Sequence, residues 1–309
     1  MAIIEVNNLT KKFSENTAVS ELTLQVDEGE VLGFLGPNGS GKTTTIRILA
    51  GIISPTSGNA RVAGHRIPGD AEGVHETVGL LTETPGFYKR LSAARNLAYY
   101  AGFYRDVDIE SQVEKHLKLM GLWERRNDRV GTYSKGMKQR LAIARALLHE
   151  PRVLFLDEPT AGLDPEASWN IRDIIKKLSK EGRTVFLSTH NLAEAEELCS
   201  RIAVIRTHLL ALDTPENLRN RFFRRQIIVR VSNLNDAILD NIKKLSCVKD
   251  ISVEKDTISV ELLDADQNRP ELVNAIVNAG GQVMAVTENK QPLEEVYFKL
   301  IHEGEKSGT

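Results

Sequence analysis

Residues 36–43 read Gly-Pro-Asn-Gly-Ser-Gly-Lys-Thr, a combination of glycines, a lysine and a hydroxyl that is suited to binding phosphate. Glycines let the backbone turn tightly around an anion, while successive N–H groups and a following helix N-terminus point at its oxygens. The pattern predicts that Lys42 reaches the β- and γ-phosphates of a nucleotide and that Thr43 ligates Mg²⁺. A glycine-rich turn that binds nothing is the competing interpretation.

Two adjacent acids form the second candidate chemical group. Asp157 and Glu158 follow the continuous apolar run 153–156, which is typical of a strand inside a parallel sheet. The carboxyl ends of such strands are where open α/β sheets bind ligands. We therefore predict that Asp157 holds Mg²⁺ opposite Thr43, and that Glu158 orients and deprotonates an attacking water. Alternatively, the two acids only open and cap the turn after the strand.

Hydrophobic periodicity predicts the elements that must position these groups. Strands are expected at residues 3–6, 22–26, 31–35, 61–62, 153–156 and 184–188. Helical patterns cover residues 43–50, residues 93–122, the stretch after Ser134 and the stretch around 171–178. Because strands alternate with helices, the sequence predicts a three-layer α/β domain over residues 1–220.

The pattern changes after this domain, and residues 225–309 are predicted to form a second one. Strands are expected at 227–231, 248–253, 257–262 and 283–286, and helices at 237–245, 271–279 and 293–301. The order β-α-β-β-α-β is that of a ferredoxin-like α+β unit, followed by a last helix. The arginines at the boundary are interpreted as the solvated face of a linker: Arg219, Arg221, Arg224 and Arg225.

Composition narrows the class of protein. The chain has 309 residues and a formal net charge of −2, which does not favour nucleic acid or an anionic bilayer as the main partner. Cys199 and Cys247 have neither metal-ligand nor redox spacing, as expected for buried thiols in a reducing cytosol. The sequence shows no leader and no apolar run of membrane-spanning length. We therefore expect another polypeptide to hold this chain at any membrane where it acts.

Several ordered motifs give the chain a family resemblance. Residues 36–43 are followed by Tyr-Ser-Lys-Gly-Met-Lys-Gln-Arg at 133–140, Leu-Asp-Glu-Pro at 156–159, Ala-Gly-Leu-Asp at 161–164 and Ser-Thr-His at 188–190. With these motifs in this order, the chain resembles the nucleotide-binding subunit of an ATP-binding cassette (ABC) transporter over residues 3–215. The resemblance implies ATP and Mg²⁺ as ligands. It also implies a P-loop NTPase cassette with a mostly parallel central sheet, a helical subdomain and an antiparallel β subdomain.

The resemblance implies a nucleotide site shared by two cassettes packed head to tail. Ser134 and Gly136 would face the γ-phosphate held by the opposite subunit, and His190 would contact that phosphate and orient the water with Glu158. The catalytic residues would be Glu158 and His190. The nucleotide-binding residues would be Phe13, Gly36, Pro37, Asn38, Gly39, Ser40, Gly41, Lys42, Thr43, Thr44, Ser134, Gly136 and Asp164.

Four of these residues also have a structural interpretation. Ser134 is a natural helix N-cap, and Asp164 is suited to a turn although the resemblance places it in the subunit contact. His190 could be a polar residue that enters the next helix. Phe13 resembles the aromatic that stacks on adenine, but an ordinary core phenylalanine is the alternative.

Two residues depart from the family pattern. Lys135 occupies a signature position where glycine is commoner, which would place a cation close to the phosphate. Glu83 occupies a position where the family usually has a glutamine that touches Mg²⁺. A carboxylate can also ligate Mg²⁺, although it adds negative charge. The predicted metal ligands are therefore Thr43, Asp157 and Glu83.

The resemblance implies a function in membrane transport. We expect an Mg²⁺-dependent ATPase subunit at the cytoplasmic face that powers export through a separate transmembrane permease, as in bacterial exporters of drugs, sodium or polymers. A soluble ABC ATPase acting on ribosomes or nucleic acid is the alternative, and a small-molecule kinase is a third class that leaves the motif at 133–140 unexplained. We predict that residues 84–91, which include Phe87 and Tyr88, contact the permease, unless they form a helical-subdomain core. The C-terminal unit is predicted to support dimerisation or regulation.

Overall fold

The computed structural model describes residues 1–82, 84–223, 225–289 and 292–306. The chain divides into two compact units. The first unit comprises Met1–Pro215 together with Tyr297–Thr309, and the second comprises Glu216–Val296.

The elements of the chain are numbered here in sequence order. The strands are β1 (Ala2–Phe13), β2 (Asn16–Asp27), β3 (Val31–Leu35), β4 (Ser57–Val62), β5 (His65–Ile67), β6 (Val78–Leu81), β7 (Val153–Asp157), β8 (Thr184–Thr189), β9 (Arg201–Arg206), β10 (His208–Asp213), β11 (Gln226–Val231), β12 (Val248–Glu254), β13 (Thr257–Leu262) and β14 (Val283–Asn289). The helices are α1 (Lys42–Leu49), α2 (Ala71–Thr77), α3 (Ala93–Ala101), α4 (Ile109–Leu119), α5 (Lys135–Leu147), α6 (Pro165–Lys180), α7 (Leu192–Leu198), α8 (Pro215–Phe222), α9 (Asp236–Lys243), α10 (Ala265–Asn278) and α11 (Leu293–Lys306).

The central sheet of the first unit has the strand order β10-β9-β3-β8-β7-β6. Its pairs are parallel except for the β9–β10 pair at one edge. Every residue of β3 and of β7 is buried, as expected for parallel strands that are covered on both faces. Because β3, β8 and β7 are neighbours, their carboxyl ends meet at one edge of the sheet. The chain segments that follow these three strands therefore lie close together at this edge.

A second sheet completes the α/β part of the first unit. Its order is β2-β1-β4-β5, and its pairs are antiparallel. Side chains of both sheets and of α1 share one apolar core, which includes Ile4, Leu24, Phe34 and Ile46. Burial of this apolar surface is the main term that stabilises the unit. The predicted combination of a mostly parallel sheet with an antiparallel β subdomain is confirmed.

The helical subdomain contains α3, α4 and α5. The sequence predicted helical structure from 93 to 122, and the structure divides this stretch into α3 and α4. Each helix has its own N-cap, because the side chain of Ser92 accepts the N–H of Arg95 and that of Asp108 accepts the N–H of Ser111. Such caps satisfy backbone donors that a helix start leaves unpaired. The break lies between Ala101 and Ile109.

The second unit contains a four-stranded antiparallel sheet with the order β12-β13-β11-β14. Helices α9 and α10 bury Ile238, Ile242, Leu272 and Ile276 in its core. The element order and the sheet order together match the ferredoxin-like arrangement that the sequence predicts. Helix α10 begins six residues before the predicted start, because Asp264 caps it by accepting the N–H groups of Asp266 and Gln267.

The interpretation of the boundary arginines as a solvated linker is wrong for Arg225. Its guanidinium lies 2.6 Å from Glu288 Oε1 and 3.0 Å from Asp266 Oδ2. The hydrogen bonds that Arg225 donates to these carboxylates raise the pKa of its guanidinium above the ordinary value. Arg225 therefore joins β14 to the start of α10 within the second unit. Arg224 lies outside the described residues.

Candidate functional site

The loop between β3 and α1 requires glycine at particular positions. Gly41 lies directly before α1 and has φ 98°, a left-handed backbone conformation that residues with a side chain rarely adopt. A Cβ on Gly41 would also lie 2.3 Å from the carbonyl oxygen of Ala18. A Cβ on Gly36 would lie 2.4 Å from Ser40 Oγ and 2.5 Å from the carbonyl oxygen of Ile205. The glycine pattern therefore has a direct steric cause in this tight turn.

Lys42 points its ammonium group back into this loop. Lys42 Nζ donates to the carbonyl oxygen of Gly36 at 2.7 Å and to that of Pro37 at 3.2 Å. It also lies 3.5 Å from Glu158 Oε1, and only 6% of the Lys42 side chain is exposed. A cation buried to this degree is stable because several oxygens surround it. Lys42 thus brings positive charge to the end of β7.

The two acids at the end of β7 have different surroundings. Asp157 is buried, and its Oδ1 accepts a 2.5 Å hydrogen bond from Ser188 Oγ in the neighbouring strand β8. Glu158 has φ 50°, a left-handed conformation that is rare for this residue type and is often found at functional sites. Its N–H donates to the carbonyl oxygen of Ser188 at 3.1 Å. Strand β8 therefore fixes the backbone on which both carboxylates stand.

His190 and Lys42 hold the carboxylate of Glu158 between them. His190 Nδ1 lies 2.7 Å from Glu158 Oε2, while Lys42 approaches the other oxygen, Oε1. The imidazole follows β8 directly, so its position depends on the same sheet edge as the acids. The carboxylate of Glu158 is thus held in a fixed orientation. A carboxylate held in this way can accept a proton from a water molecule near a phosphate group.

These groups surround an open cavity of about 320 Å³. Its lining residues are Ala18, Asn38, Gly39, Gly41, Lys42, Thr43, Thr44, Glu158, Ala161 and His190. The structure therefore brings together the predicted loop, the predicted base and the predicted histidine. Asp157 lies at the end of β7, next to Glu158. Ser134, Gly136, Asp164 and Phe13 do not line this cavity.

The segment 133–140 begins helix α5 away from the loop. Ser134 is its N-cap, and Ser134 Oγ accepts the N–H of Met137 at 3.2 Å. A Cβ on Gly136 would lie 2.8 Å from the Cβ of Ala167 in α6, so close helix packing explains this glycine. The N-cap interpretation of Ser134 is confirmed. Its contact with a nucleotide on another subunit remains a prediction.

Lys135 does not bring its charge to the loop of its own chain. Lys135 Nζ donates instead to the carbonyl oxygen of Ala161 at 2.8 Å and to that of Gly162 at 3.1 Å. One helical turn later, Gln139 Nε2 donates to the carbonyl oxygen of Pro159 at 2.8 Å. One face of α5 therefore ties down the turn that follows Glu158.

The remaining predicted residues lie at the surface or outside the described part of the chain. Phe13 is 48% exposed at the end of β1, with Lys11 Nζ 5.0 Å from its ring centroid, so the interpretation as a core phenylalanine is wrong. Asp164 is the N-cap of α6, where its Oδ1 accepts the N–H of Ala167 at 2.8 Å. Glu83 lies outside the described residues.

Sequence reasoning missed a buried acid beside the site. Glu194 in α7 has no exposed surface, and burial raises the pKa of its carboxyl group above the ordinary value. Thr160 Oγ1 donates to its Oε1 at 2.8 Å and Thr189 Oγ1 donates to its Oε2 at 2.7 Å. A glutamate among other acids on a short helix gives no sequence signal of burial, because its type is usually exposed.

The helical subdomain presents an aromatic surface. The exposed fraction of the side chain is 49% for Tyr88, 46% for Tyr99 and 68% for Phe103. The ring of Tyr99 contacts the rings of both others edge-on, with centroid separations of 5.1 and 5.2 Å. Arg145 lies 5.1 Å from the ring centroid of Phe87. The interpretation of Tyr88 as a core residue is therefore wrong. We call Tyr88, Tyr99 and Phe103 the aromatic patch.

Within residues 1–82, 84–223, 225–289 and 292–306, no helix combines the length and apolar character that crossing a membrane requires.

The glycine-rich loop between β3 and α1 and the acid pair at the end of β7, two strands along the same parallel sheet, define a nucleotide hydrolase with a P-loop and an ABC-type cassette. Comparisons with known proteins agree with this class. A family model described as ABC transporter matches residues 19–161, and one described as ATP-binding protein DrrA1-3-like, C-terminal domain, matches residues 214–301. The chain belongs to the family of ABC transporter ATP-binding proteins, and it is an ATP-binding and ATP-hydrolysing subunit.

Individual relatives support the membership. The chain is 35% identical over 303 residues to the bacitracin transport ATP-binding protein BcrA of Bacillus licheniformis, covering 98% of each chain. It is 38% identical over 230 residues to the fluoroquinolones export ATP-binding protein MT2762 of Mycobacterium tuberculosis (strain CDC 1551 / Oshkosh), covering 74% of this chain and 76% of the relative. Among solved structures, it resembles the dimeric post-hydrolysis state of the ATP-binding cassette MJ0796 bound to ADP and Pi. That likeness has a TM-score of 0.62 and 27% identity, and it covers 68% of this chain and 98% of that one.

Proposed function

We propose that two copies of this cassette pack head to tail and that each ATP lies between the loop of one copy and the Ser134 helix of the other. The observation that supports this proposal is that, within one chain, the start of α5 does not line the cavity around Lys42. A helix N-terminus with an exposed serine is nevertheless suited to anions. A second copy would bring the two elements together.

In this proposal each predicted residue has a chemical role. Glu158 accepts a proton from the water that attacks the γ-phosphorus, so that ATP and water become ADP and phosphate. His190 contacts the γ-phosphate and orients this water together with Glu158, and Lys42 stabilises the negative charge that develops on the phosphate oxygens. Phe13 stacks on adenine, and Asp164 lies in the subunit contact.

The residues present fit a magnesium ion. Thr43 and Asp157 offer a hydroxyl and a carboxylate, which are the oxygen donors that Mg²⁺ prefers. Within the described residues, Ser40 Oγ is buried beside this loop without a hydrogen-bond partner, so the loop contains a polar atom that is free to bind a ligand. Bound Mg²⁺ would neutralise charge on the β- and γ-phosphates. Glu83 is the third proposed ligand.

The substitution Glu158→Gln tests the two-copy site. Removing the general base should lower turnover by roughly a hundredfold to ten-thousandfold, while ATP still binds because Lys42 and the loop are intact. The variant should therefore accumulate as a dimer when ATP is added, which size-exclusion chromatography with light scattering measures.

Two further variants make this experiment specific. Lys42→Ala should lose ATP affinity and stay monomeric with ATP, whereas Glu72→Gln, at an exposed position of α2 in the first unit, should behave like the unchanged protein. A Glu158→Gln protein that binds ATP but remains monomeric at every concentration would contradict the shared site.

We further propose that the chain works at the cytoplasmic face of the membrane with a separate permease and powers export. The names of two relatives, one for bacitracin transport and one for fluoroquinolones export, support an antibiotic or another drug as the cargo class. The aromatic patch beside residues 84–91 is the proposed permease contact, since exposed clustered aromatics are typical of protein interfaces.

Affinity capture from a detergent extract tests the partner. The tagged chain should retain an integral membrane protein, and replacing both Tyr99 and Phe103 by Ala should release it without changing ATP affinity. Trp169→Ala is the matched control, because this exposed aromatic lies on α6, outside the aromatic patch. Capture of ribosomal proteins with no membrane protein would instead favour the soluble alternative.

The two-domain organisation is also a proposal. We propose a cassette over residues 1–220 and an accessory domain over 225–309 that supports dimerisation or regulation. The separate family match to residues 214–301 and the compact second unit support a boundary in this region.

A further inference from the structure

The buried carboxylate of Glu194 links two segments that carry the proposed catalytic side chains. Its Oε1 accepts from Thr160, which lies two residues after Glu158. Its Oε2 accepts from Thr189, which lies one residue before His190. A single side chain thus connects the turn after β7 with the last residue of β8.

The segment around His190 is held on both sides. Thr189 Oγ1, besides donating to Glu194, accepts the N–H of Asn191 at 3.0 Å. Asn191 Oδ1 in turn accepts the N–H of Glu194 at 3.2 Å, as the N-cap of α7. His190 therefore lies between two residues that are both bonded to this network, and its backbone has little freedom to move away from Glu158.

Burying this carboxylate is unfavourable for stability alone. Desolvation of a charged group costs free energy even when hydroxyls donate to it, and an apolar side chain of similar volume would pack there at lower cost. Polar groups that a fold keeps buried despite this cost concentrate near functional sites. The position of Glu194 next to two catalytic segments gives such a reason.

We propose that Glu194 is a positioning residue for ATP hydrolysis. Through Thr160 and Thr189 it keeps the carboxylate of Glu158 and the imidazole of His190 at their 2.7 Å separation. This inference rests on the roles proposed above for Glu158 and His190. Glu194 itself does not line the cavity around Lys42, so it acts through the two threonines and not by touching nucleotide.

The threonine hydroxyls provide the test, because they can be removed with almost no change of shape. Thr160→Val and Thr189→Val each delete one hydrogen bond to Glu194, and Thr160→Ser and Thr189→Ser keep it. Small displacements of positioned catalytic groups can lower rates by up to roughly a hundredfold. We therefore expect the valine variants to lose about tenfold to a hundredfold in kcat, and the serine variants to stay within about threefold of the unchanged protein.

The KM for ATP and the equilibrium affinity for ATP separate positioning from general damage. A positioning role predicts a lower kcat with unchanged ATP affinity, because among the described residues the side-chain hydrogen bonds of Lys42 go to the loop carbonyls and not to Glu194, Thr160 or Thr189. Valine variants with unchanged kcat would overturn the proposal. So would valine variants that lose ATP affinity and thermal stability in parallel with kcat. Glu194→Gln, which retains the side-chain volume, gives an independent variant and should also lower kcat without changing ATP affinity.

A double-variant experiment distinguishes failure of this inference from failure of the proposed function. If Thr160 acts through Glu158, Thr160→Val should cause no further loss of turnover in the Glu158→Gln background, since residues that act as a unit are not additive. A full multiplicative loss would overturn the positioning role while leaving Glu158 as the base. Wild-type turnover by Glu158→Gln alone would instead remove the proposed function on which the inference rests.

Discussion

The ammonium group of Lys135 joins the first turn of α5 to the turn that follows the proposed base. Its hydrogen bonds to the carbonyl oxygens of Ala161 and Gly162 use a side chain that a glycine at this position would not provide. Gly162 has φ 64°, and a Cβ there would lie 2.4 Å from Lys135 Nζ. The lysine and this glycine therefore fit one another, which gives the departure from the family pattern a structural reason.

This arrangement predicts the effect of removing the ammonium group. Lys135→Met keeps the aliphatic stem but loses both hydrogen bonds, so the turn at 161–162 should become less ordered. Stability should change by less than about 1 kcal/mol, because the group is at the surface. Turnover should fall by roughly threefold to thirtyfold, since the turn lies beside a catalytic group. Steady-state phosphate release measures the change.

Two further variants serve as controls for Lys135→Met. Lys135→Arg keeps a cationic donor and should recover most of the turnover, whereas Lys138→Met removes a cation from the same helix without touching residues 161–162. If Lys135→Met hydrolysed ATP as fast as Lys138→Met, the contact with the turn would have no part in catalysis.

At the scale of elements, the sequence predicted best the buried strands and the loops at their ends. The runs 31–35 and 153–156 are continuous and apolar. The first coincides with β3, and the second lies within β7, which extends one residue further to Asp157. The meeting of the loop with Glu158 and His190 at one sheet edge was also predictable. It follows from strand ends that lie side by side in a parallel sheet.

Other features of the elements depend on contacts that a linear pattern does not contain. The break between α3 and α4 depends on the cap by Asp108, a residue type that also occurs inside loops. The pairing of Arg225 with Glu288 joins positions 63 residues apart. The burial of Glu194 depends on two threonines, one in the turn after β7 and one at the end of β8. Tertiary partners of this kind decide the environment of a charged residue, and its type alone does not.

At the scale of the whole first unit, a charged cluster connects α4 with the segment that follows α5 and with the residue that precedes β8. Glu150 pairs with Lys115 and with Arg183, and His116 Nε2 lies 3.4 Å from Glu150 Oε1. His116 is only 1% exposed, and its burial lowers the pKa of the imidazole to about 4. For Glu150, burial acts to raise the pKa, but hydrogen bonds from Lys115 and Arg183 outweigh it and lower the pKa to about 2.

The cluster makes the stability of the unit depend on pH, and the sign follows from the two shifts. His116 is neutral in the folded protein, whereas in the unfolded chain it takes up a proton near pH 6.5. The contribution of His116 to the free energy of unfolding should therefore be fully present above pH 6.5. It should be lost as the pH is lowered towards 4, by a total on the order of 3 kcal/mol. Glu150 adds a further loss once the pH falls below 4.5, as its carboxylate in the unfolded chain is protonated first.

Urea unfolding between pH 7 and pH 4.5 measures the part that belongs to His116. Tryptophan fluorescence reports on the first unit, because both Trp123 and Trp169 lie there. His116→Gln removes the titrating group and should make the free energy of unfolding vary less with pH in this range. His149→Gln gives a second comparison, since burial also lowers the pKa of His149. An unchanged pH dependence in His116→Gln would mean that protonation of this cluster does not limit the stability of the cassette in acid.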